Sequence, residues 1–210
     1  SYESYTSSSY STTGSISSTL TNGVGWDSNY QGGWEFDGVD EYITFGTAGA
    51  CLEGDFTFEL WLNVTDSVGS KENYTFNYGY NSNNSLLLVC NTSCNWTVSI
   101  APYYKGASGA VTGYGLGSFD ADTTTHLIIR RESGLNIAFL NGVSTVVSFS
   151  ESTTTTLASG LNIQLGWAIP RNKAGAYFKG TIYQFRIYNT ALSKLEVEQN
   201  FAALKGRFPS

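Results

Sequence analysis

The chain has 210 residues, of which 41% are hydrophobic and only 13% charged, with a net charge of −6. That is enough apolar material for one sizeable core, and the charged share is well below the usual ~25%. The 11 Lys and Arg are scattered, which excludes a basic face for nucleic acid, and no stretch approaches the ~20 apolar residues of a membrane span. Ser, Thr, Asn and Gly take the place of the missing charges, a composition that accompanies extracellular proteins and virion parts. The chain opens at Ser1 and contains no Met, which reads as a processed product or an excerpt.

Residues 1–15 are almost wholly Ser, Thr and Tyr, a composition that buries little and predicts an extended arm or linker. Residues 16–210 read as a single domain. From Leu20 onward short strand-like runs alternate with Gly- and Asn-rich turns, the pattern of a β-sandwich. Trp26 and Trp34 are expected to cover a sheet edge. Phe56, Phe58, Leu60 and Leu62 alternate with Thr57, Glu59, Trp61 and Asn63, which predicts a strand with one apolar and one mixed face. Cys90 and Cys94 flank Asn91-Thr92-Ser93. A three-residue hairpin loop there would set the two cysteines opposite each other, at a spacing that suits a disulfide, and Cys51 would remain a buried thiol. Leu127-Ile128-Ile129 is apolar without alternation, so both of its faces are expected to be covered. Leu135, Ile137 and Phe139 lead into Asn141-Gly142, a pair that tolerates the positive φ angles of a type I′ turn, and so into a hairpin with 143–149. Leu161, Ile163 and Leu165 predict another strand, and Tyr183, Phe185 and Ile187 a late one. A capping box, Ser193-x-x-Glu196, opens a helix over about 193–205, with Leu192, Leu195 and Phe201 on one face and Lys205-Gly206 at its end. This helix is expected to clip onto the sandwich.

Several stretches together resemble the laminin G-like branch of the concanavalin A-like lectin/glucanase superfamily. They are Phe36-Asp37-Gly38-Val39-Asp40-Glu41-Tyr42-Ile43, Gly54-Asp55-Phe56-Thr57-Phe58-Glu59-Leu60-Trp61, Thr125-His126-Leu127-Ile128, Leu140-Asn141-Gly142-Val143, and Phe178-Lys179-Gly180-Thr181-Ile182 leading into Phe185-Arg186-Ile187-Tyr188-Asn189-Thr190-Ala191-Leu192-Ser193. They occur in the family's order over about residues 20–204. The resemblance implies an all-β jelly-roll sandwich of two curved antiparallel sheets with a short C-terminal helix. The ending, Glu198-Gln199-Asn200-Phe201 through Lys205-Gly206-Arg207-Phe208, is similar to versions found in phage structural proteins. The family often holds a structural Ca²⁺ with an acidic residue after the Gly-x-Ile of the late strand. Tyr183 and Gln184 stand there instead, and calcium needs six to eight oxygen ligands, usually with carboxylates among them. No metal and no cofactor are therefore expected.

The sharpest enzymatic signal is Glu35-Phe36-Asp37-Gly38-Val39-Asp40. Glucanases related to this fold carry Glu-x-Asp-x-x-Glu, because a retaining glycosidase needs two carboxyls about 5–5.5 Å apart. Here the third acid is Asp40, and Gly38 reads as a turn or bulge, so no catalytic residues are assigned. His126 is the only histidine; it opens an apolar strand and is expected to be structural. The aromatic content of 15% serves sandwich cores, but sugar rings also stack on Trp and Tyr. Trp96, Trp167, Tyr78 and Tyr80 lie nearer loops and are the candidates for a carbohydrate rim, whereas Trp61 is assigned to the core. Five Asn-x-Ser/Thr acceptor patterns, at Asn63, Asn73, Asn83, Asn91 and Asn95, fall between residues 63 and 97 and are the glycosylation candidates. Two function classes follow. The first is a non-enzymatic structural module of a virion, appendage or extracellular filament, assembling with copies of itself or partner subunits through residues 1–15. The second is a carbohydrate-binding module, with a glycoside hydrolase as the remote alternative.

Overall fold

The computed structural model describes residues 18–28, 32–47, 52, 54–65, 72–78, 85–92, 97–105, 111–113, 115, 117–150, 162–167 and 177–208. Its strands, numbered along the chain, form two antiparallel sheets. The 8-stranded sheet runs β1 (Ser18–Thr21), β4 (Tyr42–Thr47), β14 (Asn162–Leu165), β6 (Glu72–Tyr78), β7 (Ser85–Thr92), β8 (Thr97–Lys105) and β10 (Gly117–Asp120), with β9 (Val111–Gly113) also paired to β8. The 7-stranded sheet runs β13 (Val143–Ser150), β12 (Leu135–Leu140), β11 (Thr124–Glu132), β5 (Phe56–Val64), β15 (Lys179–Tyr188), β3 (Gly33–Asp37) and β2 (Gly25–Asp27). The expected jelly-roll sandwich is the fold observed. Residues 1–17 lie outside the described residues.

The core forms where the alternating faces meet. Phe56, Phe58, Leu60, Leu62 and Val64 of β5 point inward, and across the gap Phe58 meets Phe76 with ring centroids 4.4 Å apart. Phe76 in turn meets Phe185 of β15 at 5.7 Å. Both faces of β11 are covered, as its unbroken apolar run predicts. Leu127 and Ile129 join the main core, while Ile128 joins a second cluster with Phe139, Leu192 and Val197 on the outer face of the 7-stranded sheet.

That outer cluster seats α1 (Lys194–Leu204). The capping box forms as read: the Ser193 hydroxyl accepts from the Glu196 N–H, and the Ser193 N–H donates to the Glu196 carboxylate at 2.7 Å. The buried face differs from the expected one, because Leu195 is 62% exposed. Leu192 precedes the N-cap and packs with Val197 four positions into the helix, the spacing of a hydrophobic staple. Val197, Asn200, Phe201 and Leu204 then follow one another on the sheet-facing side.

Three further expectations are corrected. The late strand does not place Tyr183 with Phe185 and Ile187. The β15–β5 register shifts between Ile182 and Gln184, a bulge that puts two consecutive residues on one side. Ile182 and Phe185 therefore both serve the core, and Tyr183 turns out to meet Phe208. The hairpin after Cys90 is also longer than three residues. β7 continues to Thr92 and β8 starts at Thr97, so Cys90 pairs with Ile100. The geometry that would have set Cys94 across from it is not the one formed, and Cys94 and Cys51 lie outside the described residues. Finally, Trp34 does not shield the edge. It packs inward against Phe45, while its register partner Trp26 stays 50% exposed.

The Asn141-Gly142 turn has φ angles of 50° and 80°, as the type I′ reading requires. It also carries the clip, since a Cβ at Gly142 would lie 2.8 Å from the Phe201 ring.

Candidate functional site

Two groups of chemistry-bearing side chains stand out among the described residues, one sealed and one accessible. The sealed group lies between the 7-stranded sheet and α1. Alternation turns Thr57, Glu59 and Trp61 of β5 outward, and the helix covers them. Glu59 is fully buried. Its carboxylate accepts from the Tyr188 hydroxyl at 2.6 Å and from Asn200 at 3.1 Å, and it faces His126 Nε2 at 3.0 Å, with Arg186 at 3.7 Å. Burial alone would raise the Glu59 pKa, but the bonds from His126 and Tyr188 outweigh it and hold the group below the usual carboxylate value. Burial and the bond to Glu59 push Tyr188 up to about 12. His126 is sandwiched by packing, its ring 4.7 Å from Trp61 and 5.6 Å from Phe201. A carboxylate at Nε2 places the imidazole proton there. This His–Glu pair is fully buried, and Glu59 is tied to the helix through Asn200, in line with the structural role expected of His126 and with Trp61 as a packing residue.

The accessible group lies at the end of the 8-stranded sheet. Ile43 and Phe45 of β4 point to the core, so Tyr42 and Thr44 point outward. Trp167 follows the end of β14 and forms an isolated antiparallel bridge with Tyr177. The Trp167 ring lies 4.8 Å from Tyr42 and 6.3 Å from Tyr177, and all three residues are half-buried. Gly166 (φ +86°) makes the turn that aims Trp167, its position hemmed in by Phe36. Burial, then the charge of Asp40 and the neighbouring Tyr42, raise the Tyr177 pKa. Glu41 lies close by; burial raises its pKa despite the bond from the Asp37 N–H at 2.7 Å, and the charges of Asp37, Asp40 and Glu35 add to the rise.

Of the four residues proposed for a carbohydrate rim, the two described ones, Tyr78 and Trp167, do not come together. Trp167 joins the accessible stack. Tyr78 is 0% exposed and belongs to the core, because β6 alternates Phe76 and Tyr78 inward; it has no surface to offer a ligand. Tyr80 and Trp96 lie outside the described residues. Tyr42 and Tyr177 were missed. Their only signal is register: antiparallel pairing of β14 with β4, and the bridge from Trp167 to Tyr177, gather residues that are far apart in sequence. Of the acceptor asparagines, Asn63 is half-buried on β5 and Asn73 and Asn91 lie on β6 and β7, while Asn83 and Asn95 fall outside the described residues.

The acids of the glucanase-like triplet do not share one strand. Glu35 and Asp37 are exposed on β3, but the strand ends at Asp37, whose carboxylate caps the following turn by accepting from the Val39 N–H at 2.7 Å. Gly38 turns with φ +78°, and Asp40 lies beyond that turn, off the strand. Among the described residues no group of three or more His, Cys, Asp or Glu could hold a metal ion, and no helix is long and apolar enough to cross a membrane.

A laminin G-type family model, described as the concanavalin A-like lectin/glucanases superfamily, matches residues 37–198. No curated protein matches the chain. Among solved structures, the chain is similar to the binding domain of botulinum neurotoxin serotype D, with a TM-score of 0.69 and 13% identity over 90% of this chain and 47% of that one. The chain thus spans about half the length of that structure. Domain 4 of a GH43 extracellular arabinanase from Geobacillus stearothermophilus, solved in complex with arabinotriose, has a TM-score of 0.62 and 18% identity over 87% of this chain and 86% of that one. A heptameric SAP-like pentraxin from Limulus polyphemus has a TM-score of 0.57 and 11% identity over 75% and 73%. At these identities the likeness is one of fold.

Proposed function

Because the chain belongs to the concanavalin A-like lectin/glucanases superfamily, we propose that it is a non-enzymatic carbohydrate-binding module working outside the cell. The observation that carries this reading is the half-buried Tyr42–Trp167–Tyr177 stack on the outer face of the 8-stranded sheet. Aromatic rings offer apolar faces and edges to the C–H faces of sugars, and the tyrosine hydroxyls and the Asp40 carboxylate offer hydrogen-bond partners beside them. Binding rather than hydrolysis is supported by the separation of Asp40 from the Glu35–Asp37 strand and by the burial of His126 and Glu59. The test is a glycan array followed by calorimetry, with wild type and Trp167→Ala compared at matched thermal stability. Binding that Trp167→Ala lowers at least about tenfold supports the proposal. No binding to any glycan, or binding indifferent to Trp167, overturns it.

A second reading, a structural module of a virion, appendage or extracellular filament, is favoured by a different observation. β1 and β2 end the two sheets on the same side, joined by residues 22–24, and they carry Leu20 and Trp26 at 48% and 50% exposure. Among the described residues nothing pairs with these edges, and edges with exposed apolar side chains suit strand addition by a second copy or a partner subunit. Native mass spectrometry distinguishes the readings: multiples of the subunit mass that Trp26→Ser dissociates would favour assembly. The five acceptor asparagines are proposed glycosylation sites on either reading.

A further inference from the structure

The aromatic stack is one end of a larger feature. Tyr42 and Thr44 are separated by one inward residue, and both face outward from β4. Register pairs share a face, so Thr21 opposite Tyr42 and Thr19 opposite Thr44 extend this surface onto β1. On the other side Gln164, between the core residues Ile163 and Leu165, pairs with Thr44 and lies in the same row. The Asn77 amide donates to the Gln164 Oε1 at 2.7 Å, and the Gln164 Nε2 reaches the Thr44 hydroxyl at 3.5 Å. Asn77 is nearly buried and so fixes the Gln164 side chain. Among the described residues hydroxyl and amide groups line the strip that leads away from the stack, and the carboxylates of this region, Glu35, Asp37, Asp40 and Glu41, gather at the stack's end, where Lys179 pairs in register with Asp37.

We infer that the outer face of β1, β4 and β14 binds a linear, neutral oligosaccharide over several sugar units, anchored at Trp167 and read further along by Thr44 and Gln164. This rests on the carbohydrate-binding reading and adds chain length and charge to it. Two residues along a strand advance about 6.7 Å. A ligand touching both the stack at Tyr42 and the Thr44–Gln164 row must therefore be longer than one ring. Hydroxyls and amides exchange hydrogen bonds with neutral sugar hydroxyls without desolvating a charge. At the anchoring end the four carboxylates outnumber Lys179, which disfavours a uronic or sialic acid there.

The experiment is calorimetry with full-length protein and unbranched oligosaccharides of β-glucan, xylan and arabinan, from disaccharide to hexasaccharide, with polygalacturonate oligomers as the anionic probe. For the preferred neutral series, affinity should rise about tenfold from disaccharide to tetrasaccharide as one or two added hydrogen bonds are realised, and the anionic series should bind more weakly at every length. Thr44→Val, which keeps the side-chain shape, and Gln164→Leu should each lower tetrasaccharide affinity several-fold more than disaccharide affinity. Thr44→Val leaves the buried Asn77–Gln164 bond in place, so it remains informative if Gln164→Leu fails to fold. Trp167-dependent binding that is indifferent to chain length and to Thr44→Val, or that prefers the anionic series, overturns this inference and leaves the carbohydrate-binding reading standing. Absence of binding to every probe overturns both.

Discussion

Replacing Glu59 by Gln tests the account of the C-terminal clip most directly. The native carboxylate is fully buried and satisfies Tyr188, His126 and Asn200 at 2.6, 3.0 and 3.1 Å. Hydrogen bonds to a charged group are each worth about 1.5–3 kcal/mol and do not add independently within one network. Gln keeps one acceptor oxygen but presents an NH₂ where the second oxygen stood, so at least one of the three donors loses its acceptor in a fully buried site. The substitution also removes the cost of burying a charge, which offsets part of the loss. Breaking a buried pair by changing one partner costs about 3–5 kcal/mol, and the lower end, about 3 kcal/mol, is the expected value here. For a domain of this size that is a fall in Tm of about 6–12 °C. Urea denaturation should show the same loss as a lowered midpoint at unchanged slope. The coupling between Glu59→Gln and Tyr188→Phe in a double-mutant cycle should exceed about 1 kcal/mol. A single-mutant loss below about 1 kcal/mol with no coupling would refute the view that this network fastens the clip.

Four further outcomes are expected. Gly180 has φ +142°, and a Cβ there would lie 2.1 Å from the Asn63 carbonyl oxygen; the obstacle is the backbone of residues 63–65, which cannot turn aside as a side chain would, so Gly180→Ala should lower stability by more than about 2 kcal/mol in urea titration. Tyr78→Ala empties a fully buried position and should cost about 3–5 kcal/mol, and where the variant folds its glycan binding should match wild type. The Glu59 pKa is held below its ordinary value, so its contribution is present at neutral pH and is lost as pH falls through the lowered folded value; Tyr188 is raised from 10 to about 12, so its contribution is lost as pH climbs through that window. Thermal melts across pH should therefore show both flanks, and Tyr188→Phe should abolish the alkaline one. For material from a glycosylating host, intact mass should exceed the sequence mass, and Asn→Gln at an occupied acceptor should remove one step of the excess.

Sequence periodicity carried the fold where one face dominates. The alternation of β5, the doubly covered run of β11, the Asn141-Gly142 turn and the Ser193–Glu196 capping box all form as read, because each is a local pattern with one physical solution. The errors arise where a single extra residue or a long-range register decides. The bulge at Tyr183–Gln184 inverts the facing of Tyr183. The staple from Leu192 to Val197 begins outside the helix, so helical spacing counted from Leu192 selects Leu195 wrongly. Tyr78 borders a Gly/Asn-rich stretch and looks like a rim residue until its pairing partners place it inward. Of the candidate site only Trp167 was legible, since Tyr42 and Tyr177 reach it through pairings that no local pattern announces.

The position of β15 has a consequence for how the chain is made. This strand, which follows every other described strand in the chain, lies between β5 and β3 in the middle of the 7-stranded sheet, and the helix that covers Glu59 and Trp61 comes later still. An emerging chain can form the β11–β12–β13 meander and its pairing with β5, but the inner edge of β5 stays unpaired until residues 179–188 arrive. Pairings of such wide sequence separation close slowly, and an open central edge invites another chain to fill it. Production losses and aggregation should therefore concentrate in variants that weaken β15 or α1, even where the finished domain tolerates them. A chain cut short before Lys179 should be insoluble rather than merely less stable.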